Sequence, residues 1–237
     1  TIASNINIEL HKGELVGLIG ANGIGKSTLL RTLTNVQQSI SGDVLINNKN
    51  LNKHSNNELA KSLSLVLTEH ITSKNLSVLE LVALGRQPYT NWIGNLSTQD
   101  KDVVNNAIIK TNIQEIKHKK CYELSDGQLQ KVLIARALAQ NTPIIVLDEP
   151  TAHLDLHHTV NTFSLLKNLA SEFNKTIIIS TGMAEYQDID LALKELNLPT
   201  KRYEHKVWRS PQGGASSKAS HNLQHRQGVR ARGQGRA

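Results

Sequence analysis

Residues 20–27, near the start of the chain, have the spacing of a loop that binds phosphate groups. They read Gly-Ala-Asn-Gly-Ile-Gly-Lys-Ser and match the pattern G-x-x-x-x-G-K-[ST] in full. Glycines let backbone N–H groups turn toward phosphate oxygens, and a helix that begins near Lys26 adds the positive end of its dipole. The pattern predicts that Lys26 neutralises the β- and γ-phosphates of a nucleotide, that the Ser27 hydroxyl ligates Mg²⁺, and that Thr28 reaches the α-phosphate. The predicted nucleotide-binding residues of this loop are Gly20, Asn22, Gly23, Gly25, Lys26, Ser27 and Thr28.

Two adjacent acids follow a run of four apolar residues, 144–147. Such a run predicts a buried strand, at whose carboxyl end Asp148 and Glu149 lie. Asp148 is predicted to hold Mg²⁺, directly or through water, and Glu149 to polarise the water that attacks the γ-phosphate. Acid pairs at strand ends are common, but a pair that follows a phosphate loop in the same chain indicates hydrolysis of a bound nucleotide. Lys26 and Glu149 are then the predicted catalytic residues.

A third motif begins another predicted helix, 23 residues before Asp148. The segment 124–128 reads Leu-Ser-Asp-Gly-Gln and resembles the LSGGQ signature of ATP-binding cassette ATPases, with Asp126 in place of the usual glycine. Helix N-termini favour anions. The resemblance implies that Ser125, Gly127 and Gln128 contact the γ-phosphate of ATP held by the opposite subunit. It therefore implies a homodimer that encloses two nucleotides between the chains.

Two further segments support the resemblance, which covers about residues 2–181. Residues 152–155 match the D-loop of the family, whose Asp155 is implied to shape the opposite active site. Residues 78–89, which include Leu-Gly-Arg-Gln-Pro-Tyr, are similar to a segment of the importers of iron-siderophore complexes, haem and cobalamin. A helix end with a proline turn is the alternative interpretation of that segment.

The sequence departs from the family pattern at three places. Thr68 stands where the family has a glutamine that contacts Mg²⁺, so Thr68 is a further candidate metal ligand. Gly182 stands where the family almost always has the switch histidine that contacts the γ-phosphate. The aromatic residue that stacks on adenine in the family is expected upstream of Thr1, and a first residue other than Met suggests that the natural start is missing.

The residues around these motifs alternate between strand and helix patterns, which predicts an α/β fold. Between about residues 76 and 140 the pattern is mainly helical, with helix starts predicted where a serine precedes an acid by three residues, at Ser77 and Ser97. A third helix is predicted over 127–140. The predicted strands cover residues 6–10, 14–19, 44–46, 144–147 and 177–179. Together with the resemblance, this predicts a P-loop NTPase core with an antiparallel β edge and a helical subdomain at about 74–140.

Composition and charge limit the class of protein. Hydrophobic residues make up 38% of the 237, no apolar run approaches the roughly 18 to 20 residues that span a bilayer, and the single cysteine cannot form an internal disulfide. From residue 200 onward, nine lysines and arginines face one acid, a charge of +8; the remaining 18 bases and 19 acids sum to −1. We therefore expect an ATPase domain over 1–182 and a largely disordered basic tail over 183–237 that does not match the family.

The resemblance implies the ATP-binding subunit of an importer, bound to two permease subunits at the cytoplasmic face of the membrane and only indirectly to a substrate-binding protein. Its cofactors would be ATP and Mg²⁺, and its transported substrate an iron chelate, haem or cobalamin. One alternative is a truncated module that binds ATP but hydrolyses it poorly or not at all, because Gly182 replaces the histidine. Another is a soluble cassette ATPase that acts on nucleic acid or ribosomes. The charge of −1 before the tail disfavours this second alternative, and no nucleic-acid partner is expected.

Overall fold

The computed structural model describes residues 6–67, 75–152 and 154–182. The predictions for Thr68 and for the basic tail at 183–237 concern residues outside these ranges. The strands are β1 (Leu15–Gly20), β2 (Leu45–Ile46), β3 (Lys49–Asn50), β4 (Leu63–Val66), β5 (Ile144–Leu147) and β6 (Thr176–Gly182). The α-helices are α1 (Lys26–Leu33), α2 (Asn56–Ser62), α3 (Val78–Ala83), α4 (Thr98–Lys110), α5 (Asp126–Ala139) and α6 (Leu156–Ser171). Short 3₁₀ helices cover Leu51–Lys53, Leu84–Tyr89, Gln114–Ile116 and Cys121–Glu123.

A parallel sheet of four strands, in the order β1-β6-β5-β4, forms the centre of the fold. Its strands are apolar runs that helices cover on both faces, as parallel sheets require. Gly20 of β1 pairs with Gly182 of β6, and Leu147 of β5 pairs with Ile179 of β6. The carboxyl ends of β1, β5 and β6 therefore meet at one edge of the sheet. The phosphate loop, the acid pair and Gly182 all lie at that edge.

The predicted antiparallel structure is a separate sheet of two short strands, β2 and β3. Asn47 and Asn48 form the turn between them with φ of 50° and 62°, a conformation that asparagine tolerates better than most residues. The predicted strand at residues 6–10 is wrong, because none of these residues pairs with a strand in the described part of the chain. Ile6 and Ile8 are 36% and 39% exposed, so their alternation with polar residues does not mark a buried face.

Three helices between β4 and β5 form the helical subdomain, and all three predicted helices are confirmed. Both helix starts predicted at Ser77 and Ser97 are capping boxes: the serine hydroxyls accept hydrogen bonds from the backbone N–H of Glu80 and Asp100, whose carboxylates accept from the serine N–H groups. Helix α5 lies at the centre of the subdomain. Its central residues, among them Val132, are buried.

The segment 84–89, which is similar to a segment of the importers, follows helix α3 and packs against the end of α5. Arg86 is buried; its Nε donates to Oδ1 of Asp100 at 2.9 Å, and another guanidinium nitrogen donates to the carbonyl oxygen of Ala139 at 2.8 Å. The Ser97 hydroxyl and the Arg86 guanidinium hold the pKa of the Asp100 carboxyl below its ordinary value. A Cβ on Gly85 would collide with the backbone of α5. The segment is therefore a 3₁₀ helix that anchors α3 and α4 to α5.

Most of the buried apolar residues form one cluster, which joins the central sheet to the helical subdomain and to α6. Phe163, Leu166 and Leu169 of α6 belong to this cluster and are almost fully buried. The acid pair follows a strand of this cluster, whereas Leu18 of β1 and Leu30 of α1, on either side of the phosphate loop, form a smaller buried cluster with Val146. Within the described ranges, no helix is both long enough and apolar enough to cross a membrane.

Candidate active site

The phosphate loop connects β1 directly to α1. Gly23 and Gly25 have φ of 79° and 103°, which residues with a side chain rarely adopt, so glycine is required at both positions. Gly25 is also the N-cap of α1, and having no side chain it leaves the first backbone N–H groups of the helix uncapped. These N–H groups and the helix dipole make the turn an anion site. Thr28 lies in the first turn of the same helix.

Lys26 is the cation of this loop and is 5% exposed. Its Nζ donates to the carbonyl oxygens of Gly20 and Ala21 at 2.9 and 3.1 Å and lies 3.6 Å from Oε1 of Glu149. Three oxygens therefore hold the ammonium group above the loop. The structure brings together the two predicted catalytic residues, which lie 123 positions apart in the sequence.

The two predicted magnesium ligands also meet. The Ser27 hydroxyl donates to Oδ1 of Asp148 at 3.0 Å, and Asp148 is 5% exposed. A hydroxyl and a carboxylate oxygen are hard donors of the kind that Mg²⁺ takes from proteins when phosphates supply further ligands. The donor set therefore fits Mg²⁺. Asp148 is held from the side of β4 as well, because its N–H donates to the carbonyl oxygen of Val66.

Ser180 is a residue of this site that no sequence motif indicated. It is fully buried on β6; its hydroxyl donates to Oδ1 of Asp148 at 2.6 Å and accepts from the backbone N–H of Glu149 at 2.9 Å. Glu149 has φ of 47°, an unfavourable conformation for a residue with a side chain. Ser180 therefore supports the strained backbone at Glu149 and orients Asp148. The sequence signal that could have indicated Ser180 is a polar residue that directly follows the apolar run of β6.

Gly182 lies beside the phosphate loop, paired with Gly20 at the end of β6. A Cβ on Gly182 would lie 2.8 Å from Oδ1 of Asn22, the outer end of an exposed side chain. Position 182 thus faces the loop, and any side chain placed there requires Asn22 to rotate.

The signature residues lie at the start of α5. Ser125 is the N-cap; its hydroxyl accepts from the N–H of Gln128 at 3.3 Å, and its own N–H donates to the Gln128 side chain at 3.2 Å. Gly127 is buried against the ring of His158. Ser125 and Gln128 are hydrogen-bonded to each other, not to Lys26 or Ser27. The signature turn at the start of α5 is therefore held by its own capping hydrogen bonds.

Asp155 is the N-cap of α6. Its Oδ1 accepts from the backbone N–H of His158 at 2.8 Å and lies 2.8 Å from Nδ1 of the same histidine. These contacts, the backbone hydrogen bond first, hold the pKa of the Asp155 carboxyl below its ordinary value. The ligand atoms of Asp155, His157 and His158 lie within 4.8 Å of one another at the surface. Helix capping and the His158 ring already account for the position of this carboxylate.

Comparison with known proteins supports the same interpretation. The sequence profile of the ABC transporter family matches residues 3–152. The achromobactin transport ATP-binding protein CbrD of Dickeya dadantii is 36% identical over 207 residues, which are 87% of this chain and 72% of that protein. The iron(3+)-hydroxamate import ATP-binding protein FhuC of Bacillus subtilis is 38% identical over 75% of this chain and 66% of that protein. A match to 87% of the chain extends past Gly182, the last described residue.

A solved structure shows the same fold. The dimeric structure of a bacterial ABC transporter cassette superposes with a TM-score of 0.68 at 30% identity, over 81% of this chain and 82% of that one. The predicted fold and the predicted resemblance, including the likeness to the iron-chelate group, are confirmed.

Proposed function

Since this chain belongs to the ABC transporter family, we propose that it is the ATP-binding subunit of an importer and hydrolyses ATP to drive the uptake of an iron chelate, haem or cobalamin. The observation that carries the proposal is the convergence of Lys26, Ser27, Asp148 and Glu149 at one edge of the sheet. The substrate class is supported by the relatives that carry the names of achromobactin and hydroxamate transport proteins.

Some residues of the site bind the phosphates and Mg²⁺, and others take part in proton transfer. The N–H groups of the phosphate loop and Lys26 bind the β- and γ-phosphates, and Lys26 offsets the charge that develops during transfer. Ser27 and Asp148 would hold Mg²⁺, which supplies positive charge to the phosphate oxygens when bound. Glu149 accepts the proton of the attacking water, and Ser180 keeps that carboxylate's backbone in place.

A second copy of the chain completes each site in this proposal. Ser125, Gly127 and Gln128 contact the γ-phosphate held by the partner, and Asp155 shapes the partner's site. The dimeric cassette that shares this fold supports the arrangement.

Two permease subunits would bind the helical subdomain at the cytoplasmic face of the membrane. Leu84, Trp92 and Ile93 follow helix α3 and are 50%, 95% and 60% exposed, so this stretch offers apolar surface to a protein partner. A substrate-binding protein would contact the permeases rather than this chain.

Uptake of an iron chelate is the direct test of the proposed function. In cells that lack the ATP-binding subunit of their own hydroxamate importer, we expect this chain to restore uptake of radioactive ferric hydroxamate to at least about ten times the background. The matched control is the Glu149→Gln variant, which keeps the fold and should leave uptake at background. The same comparison is made for haem and cobalamin in cells that lack the ATP-binding subunits of those importers. If the chain and the Glu149→Gln variant give equal uptake of all three substrates, the proposed transport function is wrong.

A second candidate function, ATP binding without turnover, is favoured by one observation. Position 182 faces the phosphate loop but carries no side chain. Gly182→His is expected to raise ATP turnover by about 10-fold, or about 1.4 kcal/mol of barrier, by adding a donor to the γ-phosphate. The measurement is steady-state phosphate release at saturating ATP.

The Gly182→Ala variant is the control, because it adds only the Cβ that contacts Asn22. Combining Gly182→His with Asn22→Ala removes that contact and tests whether the Asn22 side chain limits the gain in turnover from the histidine. Turnover of the unmodified chain that exceeds that of Glu149→Gln and equals that of Gly182→His would remove the second candidate. Turnover of the unmodified chain no higher than that of Glu149→Gln would establish it.

A further inference from the structure

Gly127 of the signature segment packs directly on the ring of His158. A Cβ added to Gly127 would lie 2.6 Å from Cδ2 of His158 and 3.2 Å from both Cγ and Nε2. No carbon atoms approach so closely without displacement, so only glycine allows this contact. The first turn of α5 and the first turn of α6 therefore meet through one imidazole ring.

The same ring is held on its other side by Asp155. Its Nδ1 lies 2.8 Å from Oδ1 of Asp155, and the backbone N–H of His158 donates to the same oxygen at 2.8 Å. Asp155 in turn caps α6. His158 is thus bonded to the D-loop acid and in contact with the signature glycine.

We propose that His158 is a positioning residue that joins the signature turn, residues 125–128, to Asp155 in one rigid unit. The inference rests on the proposed function, in which the signature turn contacts the nucleotide of the opposite subunit and Asp155 shapes the site of that subunit. The contacts of His158 lie at the starts of α5 and α6, and none of them is to Lys26 or Ser27. Loss of the ring leaves the two helix starts free to move separately. It therefore weakens the closed dimer and leaves nucleotide binding by a single chain unchanged.

The experiment measures dimer formation and nucleotide binding separately. In the hydrolysis-deficient Glu149→Gln background, sedimentation velocity with ATP gives the dimer dissociation constant, and titration of dilute monomer with a fluorescent ATP analogue gives the nucleotide affinity. We expect His158→Ala to raise the dimer dissociation constant by at least about 10-fold and to change the monomer's nucleotide affinity by less than about twofold. His118→Ala is the matched control, because His118 is an exposed histidine outside the two helix starts, whereas the His157 ring packs on the His158 ring. It should leave both values unchanged.

Two further variants separate positioning from general damage. His158→Asn keeps a polar group that can donate to Asp155 and should recover part of the dimer affinity, with the same melting temperature as His158→Ala. Gly127→Ala should weaken the dimer by forcing the His158 ring aside. In the Gly127→Ala background, His158→Ala should then raise the dimer dissociation constant by a smaller factor than it does on its own. Additive effects, or a His158→Ala chain that dimerises as tightly as the Glu149→Gln parent, would overturn the inference. A parent that binds ATP but does not dimerise would instead refute the dimeric part of the proposed function, and the inference with it.

Discussion

Lys26→Ala is expected to lower the affinity for ATP by at least about 100-fold, or about 2.8 kcal/mol, and to abolish hydrolysis. Hydrogen bonds to charged groups contribute about 1.5 to 3 kcal/mol each, and the buried Nζ of Lys26 is already held over the loop by three oxygens. The substitution also leaves the carboxylate of Glu149 without its cation, next to the position of the γ-phosphate. Titration with a fluorescent ATP analogue measures the affinity.

Lys101→Ala is the matched control, because Lys101 is an exposed lysine of α4 in the helical subdomain. This variant should bind ATP as the unmodified chain does. Circular dichroism of both variants checks that the fold is retained. An ATP affinity of Lys26→Ala within threefold of the unmodified chain would contradict the assignment of residues 20–27 as the nucleotide site.

Glu149→Gln is expected to lower turnover by a factor between about 10² and 10⁴, the usual contribution of a general base, while ATP affinity changes by less than about threefold. Glutamine has nearly the same shape as glutamate, and the Glu149 backbone N–H keeps its bond to Ser180 because that bond does not involve the side chain. The variant therefore removes the proton acceptor and leaves the phosphate loop and Asp148 intact. Single-turnover hydrolysis with excess enzyme measures the chemical step apart from product release.

The corresponding control is Glu115→Gln, an exposed glutamate in the 3₁₀ helix Gln114–Ile116. It should hydrolyse ATP at the unmodified rate. Unchanged single-turnover hydrolysis by Glu149→Gln would show that another group accepts the proton. The Lys26 and Glu149 variants together separate loss of binding from loss of chemistry.

Local patterns in the sequence were sufficient to predict the phosphate loop and the three helices of the helical subdomain. The capping boxes at Ser77 and Ser97 join residues three apart, so their spacing can be recognised in the sequence itself. The phosphate loop is equally local, because its positive φ values need glycine at Gly23 and Gly25. The strand predicted at residues 6–10 was wrong because a strand needs a partner, and alternation of apolar and polar residues alone does not supply one.

The arrangement of side chains around the site depended on tertiary structure. Ser180 reaches Asp148 and Glu149 only because β6 lies beside β5 in a parallel register that pairs Ile179 with Leu147. His158 meets Gly127, 31 positions earlier, only because the starts of α5 and α6 pack together. Each of these contacts joins residues about thirty positions apart through strand register or helix packing, and no short spacing in the sequence records such a contact. The residues that meet at the site could therefore be predicted from motifs, whereas Ser180 and His158, which hold them in place, became visible only in the folded chain.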